Sequence, residues 1–172
     1  MRAALELLYR TSGRLAGFFL VAIAVLSLAQ ISGRLLGFAA HSFDEFAGYC
    51  MAASSFLGLA YALRAGEHIR MTLLLHRTRG MARRELEIAC LAAGVFLAGF
   101  FTWYACDMLW FSFITHDVSQ SLVPVPLWIP QTGMALGLVI LLVALLDDLA
   151  VVVSRGTPSY DSAEAKASAL ER

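Results

Sequence analysis

The side chains able to do chemistry in this chain are few and scattered. Its four histidines stand at His41, His68, His76 and His116, and its three cysteines at Cys50, Cys90 and Cys106. Paired histidines at matched depth between apolar helices would ligate haem. A close cysteine pair facing an oxidising compartment would exchange disulfides. A serine, histidine and carboxylate set, a phosphate loop, or carboxylates gathered inside an apolar segment would suggest catalysis or ion coupling. Spacing supports none of these. The cysteines are far apart, form no CxxC pair or zinc pattern, and read as small apolar residues. The strongest local anomaly is instead RAGEHIRMTLLLHRTRG, residues 64–80, a belt of arginines with two histidines in an otherwise oily chain.

The elements that must position such a belt are membrane helices. Of 172 residues, 59% are hydrophobic and 15% charged, far more apolar than a soluble domain of this size. Residues 15–33, 46–63 and 88–106 are free of charge, and crossing a hydrocarbon core takes about 20 residues. A fourth uncharged window covers 118–146, but its early prolines leave a good helix only from about residue 128. The expected fold is an all-α membrane protein with four transmembrane helices, at about 14–37, 46–64, 86–109 and 128–150. Residues 1–153 are expected to form one membrane domain, and 154–172, rich in small and charged residues, a flexible tail. The first span, with its basic start, is expected to be retained rather than cleaved as a signal peptide.

Zero net charge hides an asymmetry that orients the chain. Arg2, Arg10 and Arg14 precede span one; Arg64, Arg70, Arg77, Arg79, Arg83 and Arg84 lie between spans two and three; Arg155, Lys166 and Arg172 follow span four. These segments are expected in the cytoplasm, with both termini inside. The other two connections carry Asp, Glu and His but no Lys or Arg, and are expected outside. On that topology His41 and His116 are outer and His68 and His76 inner. The alternative reading, a four-helix redox membrane protein or haem carrier, therefore lacks ligands at matched depth. No cofactor, enzymatic activity or nucleic-acid partner is expected.

Finer features set the remaining expectations. Gly13 with Gly17, Gly33 with Gly37 and Gly133 with Gly137 have the four-residue spacing that permits close helix approach in lipid. Arg34, just after the first window, either pairs with Asp44 or Glu45 across a short turn or snorkels to the interface. Asp107 is expected to be solvated near the outer end of span three. In SLVPVPLWIPQTG, residues 121–133, Pro124 and Pro126 favour an extended approach to the membrane. Trp128 then sits as an interfacial anchor, and Pro130 falls in the first helical turn, where a missing N–H costs little.

Two readings of the basic belt remain open on physical grounds. If 67–86 are helical, Arg70, Arg77 and Arg84 line one face, with apolar residues on two separate arcs, Ile69 and Leu73 on one and Met71 and Leu75 on another. Such a helix would lie at the inner surface among phospholipid headgroups. The other reading is an ordinary positive-inside loop.

RAGEHIR at 64–70, following FLGLAYALR at 56–64, resembles the signature of the small membrane subunit of tripartite ATP-independent periplasmic (TRAP) transporters. The span order and the SLVPVPLWIPQTG segment are similar to that family too. The resemblance implies a non-catalytic bacterial inner-membrane subunit of a secondary transporter, with structural roles for Arg64, Gly66, His68 and Arg70. It also implies an outer-face role for Pro124, Trp128, Pro130 and Gly133. In that family a separate large membrane subunit carries the substrate and sodium sites and moves them by an elevator motion. A periplasmic substrate-binding protein delivers the solute, usually an organic acid, and the small subunit packs against the static scaffold. The family usually has an apolar residue and then Asp after His-Ile-Arg; this chain has Met71 and Thr72, so that acid has no counterpart.

Overall fold

A computed structural model describes residues 2–37, 42–65, 81–120 and 123–154. Among them the chain forms α1 (Arg2–Leu35), α2 (Phe43–Arg64), α3 (Met81–Thr115) and α4 (Trp128–Val153). All four are long and apolar enough to cross a membrane. Lipid offers no water to unpaired backbone groups, and a helix satisfies them within one segment.

The helix ends follow from local chemistry. Leu36 N–H donates to the Ser32 carbonyl, and Gly37, at φ 80°, then turns the chain out of α1. A left-handed conformation suits glycine at a helix C-terminus. Gly37 thus ends a helix, and the expected Gly33/Gly37 contact motif is set aside. Asp44 and Glu45 occupy the first turn of α2 and Arg64 its last, matching charge to the helix dipole at both ends. Pro130 lies in the first turn of α4, as its missing N–H allows.

The third helix is longer than its uncharged window. It begins at Met81, so residues 81–86 open α3 instead of closing an interfacial helix, and it reaches Thr115. Asp107 therefore stands about two turns inside α3, on its exposed side. One carboxylate does not stop a helix whose following residues, LWFSFIT, remain apolar and aromatic.

The helices pack as a row in the order α1, α2, α4, α3. α1 meets α4 only slightly, in a cluster at one end built from Tyr9, Ala60, Leu63 and Ala144. Ala16, Ala53 and Leu57 fill the α1–α2 contact; Ala105, Ala135 and Leu138 fill the α3–α4 contact. The predominance of alanine follows from the solvent: lipid gives no hydrophobic drive between helices, so close backbone approach must supply the contact. The flanking helices keep broad apolar faces, with Phe18 at 66%, Phe96 at 72% and Trp103 at 75% exposure.

Candidate functional site

An ion pair between helices lies at the end of the row that carries the start of α1, the end of α2, the start of α3 and the end of α4. Arg64 closes α2, and its Nη2 donates to Asp147 Oδ2 on α4 at 2.5 Å. Both side chains keep 28% exposure, so the pair is sheltered without being sealed. The guanidinium also lies 4.5 Å from the centroid of the Tyr9 ring, on α1. One side chain thus engages three helices, combining a charge-assisted hydrogen bond with a cation–π contact. Lysine, a point charge without a planar fork, would not reproduce both. Asp148, next along α4, is buried at 1% exposure.

Asp147 is placed where it needs that partner. A carboxylate toward the C-terminal end of a helix gains nothing from the helix dipole, whereas an arginine in the last turn does. The sequence reading carried Arg64 as a structural residue but overlooked Asp147, Asp148 and Tyr9. The available signal was an acid pair ending the most apolar span, at a membrane face whose other charges are mainly arginines.

Further ties cross the remaining contacts. Ser12 Oγ donates to the Leu57 carbonyl at 2.5 Å, and Ser54 Oγ donates to the Ala16 carbonyl at 2.9 Å, one bond in each direction between α1 and α2. A Cβ on Gly13 would fall 2.8 Å from the Tyr61 ring, whereas Gly17 faces open space. Only the first of that pair therefore serves close approach. On α4 both expected glycines do: a Cβ at Gly133 would meet Ala53 at 2.9 Å, and one at Gly137 would come within 2.6 Å of the Phe56 carbonyl oxygen. Arg84, in the first turn of α3, donates to the Val153 carbonyl at 3.0 Å and satisfies an orphan acceptor at the end of α4.

At the opposite end, the described residues of the loop between α3 and α4 are pinned to one another by backbone hydrogen bonds. His116 takes a left-handed φ of 54° after α3. Ser119 N–H donates to the Val125 carbonyl at 2.8 Å and Leu127 N–H to the Asp117 carbonyl at 2.9 Å, with Val118 bridged to Pro126. The buried Ser119 hydroxyl accepts from Val125 N–H at 3.1 Å. Pro124 lies in this loop, which delivers Trp128 edge-on to Phe113 at 6.0 Å between ring centroids. Glu45 Oε1 accepts from the Tyr49 hydroxyl at 2.6 Å. Arg34 is exposed and forms no ion pair with Asp44 or Glu45.

Gly66, His68, Arg70 and Arg77, with most of the basic belt, lie outside the described residues. Among the described residues no three His, Cys, Asp or Glu side chains gather in a metal-binding group, and the three cysteines are unpaired. The redox alternative gains no support from these residues.

A family model described as "Tripartite ATP-independent periplasmic transporters, DctQ component" matches residues 23–155. No curated protein and no solved structure matches the chain.

Proposed function

Because the chain belongs to the DctQ component family of the tripartite ATP-independent periplasmic transporters, we propose that it acts as a non-catalytic brace in a sodium-coupled, binding-protein-dependent transporter of organic acids. It packs against the static scaffold of a large membrane subunit, while a periplasmic binding protein delivers solute to that subunit. The chain sits in the bacterial inner membrane with both termini in the cytoplasm, as the distribution of arginines supports.

One observation carries the bracing role: several polar side chains each tie one helix to another. Arg64 joins α2 to α4 and lies over the Tyr9 ring of α1, Ser12 and Ser54 join α1 to α2, and Arg84 joins α3 to α4. These ties hold relative helix positions, which suits a stator. Arg70 and Arg77 extend the brace into the headgroup layer of the inner leaflet, where each cation near an anionic surface contributes about 1 kcal/mol.

Reconstitution tests the reading. Proteoliposomes holding the chain with its large subunit and binding protein should take up organic acid on a sodium gradient, and those holding the chain alone should not. Uptake by the chain alone would overturn the proposal.

A further inference from the structure

At the same end as the Arg64 cluster, α1 and α2 enclose an open cleft of about 500 Å³ lined by Arg10, Gly13, Arg14 and Tyr61. Its floor exists because Gly13 lacks a Cβ: the Tyr61 ring occupies the space that a Cβ would need. Tyr61 itself remains 50% exposed. Arg14 is exposed and, among the described residues, makes no ion pair, while Arg10 pairs with Glu6 at 2.7 Å in an i,i+4 contact with both side chains more than 60% exposed. Such an exposed pair is weak and readily exchanged for a better acceptor.

The same arginines continue into an apolar face of α1. Arg10, Arg14, Gly17 and Val21 share one face of the helix at spacings of four, three and four residues. The uncharged window begins at residue 15, so the two arginines stand at the edge of the hydrocarbon and Gly17 and Val21 lie within it. Gly17 has nothing within 4 Å of its missing Cβ, and Val21 is 60% exposed. A cationic mouth thus opens onto an uncrowded apolar track, the profile of a headgroup above its acyl chain.

We propose that the Arg10–Gly13–Arg14–Tyr61 cleft binds the phosphate of one anionic glycerophospholipid, with an acyl chain laid along α1 over Gly17 and Val21. The guanidinium forks hold the phosphate oxygens, the Tyr61 hydroxyl donates a further hydrogen bond, and Glu6 is released from Arg10. The site depends on the chain spanning a bilayer, and neither on the transport role nor on which face of the membrane carries this end.

Native mass spectrometry of the full chain, purified with whatever membrane partner accompanies it, tests this by titration with dioleoylphosphatidylglycerol, dioleoylphosphatidylcholine and inorganic phosphate. The phosphatidylglycerol adduct should dominate. It should weaken at least tenfold in Arg10→Gln/Arg14→Gln and severalfold in Tyr61→Phe, which keeps the ring on Gly13, while Arg34→Gln at the opposite end leaves it unchanged. Gly17→Leu should weaken the lipid but leave phosphate unaffected, since it fills only the acyl track. Equal binding of the two lipids, or a double arginine variant within twofold of the parent, would overturn the site. Full competition by inorganic phosphate together with an inert Gly17→Leu would overturn the lipid as its occupant.

Discussion

Arg64 and Asp147 are 83 positions apart in the chain, yet their side chains meet at 2.5 Å across the α2–α4 contact. The partnership requires the ends of α2 and α4 to lie side by side, which the row order α1, α2, α4, α3 provides. Tyr9 beneath the guanidinium extends the same junction to α1.

Arg64→Gln and Asp147→Asn should each destabilise the helix row, because each leaves a sheltered partner unmatched. Fully buried pairs lose more when one member goes; with both side chains 28% exposed, the expected cost here is about 1–2 kcal/mol. The double variant should lose less than the sum of the singles, with a coupling of about 0.5 kcal/mol or more. Unfolding in mixed detergent micelles, followed by circular dichroism, measures all three; strictly additive losses would show that the contact carries no energy.

Gly137→Ala should push α2 and α4 apart, since the new Cβ would meet the Phe56 backbone, and backbone cannot step aside as a flexible side chain can. Overpacking of this kind costs about 1–3 kcal/mol. Gly17→Ala, on a face open to its surroundings, should be neutral or slightly stabilising through helix propensity. Thermal unfolding of the two variants in one detergent should separate them clearly, and equal midpoints would contradict the packing described.

Ser12→Ala and Ser54→Ala each remove one hydrogen bond between α1 and α2. Interhelical bonds of this type in membranes average about 0.6 kcal/mol, so single losses should be small. The double variant should loosen α1 specifically, raising hydrogen exchange in α1 above that in α4. Uniform exchange along both helices would argue against this local tie.

Arg70→Glu with Arg77→Glu should reduce insertion or complex yield more than Arg155→Glu, because the belt is proposed to sit at headgroup level and the tail beyond it. Quantitative blotting of membrane fractions gives the comparison. Equal yields would remove the anchoring role from the belt.

The four spans were readable because charge is excluded from long stretches, a constraint the bilayer imposes directly. Helix ends were less so: Asp107 marks the end of an uncharged window, but the apolar and aromatic residues after it carry α3 on to Thr115. Glycine spacing identified Gly133 and Gly137 correctly, yet gave Gly17 and Gly37 the wrong surroundings. Four-residue spacing says which residues share a face; the rotation that turns that face toward a neighbour depends on the whole contact. The Arg64–Asp147 pair was hidden for a similar reason. The charge pattern brings the ends of spans two and four to one membrane face, whereas the adjacency of these two residues depends on α2 and α4 being neighbours, which no single span encodes.

The proposed role requires this small component to work within a larger assembly. Mild-detergent purification of the tagged chain from its native membrane, followed by mass spectrometry of accompanying proteins, tests it most directly. A large multi-span membrane subunit should be recovered in a fixed ratio to the chain. A chain that emerges alone under conditions that preserve its own helical fold would contradict it.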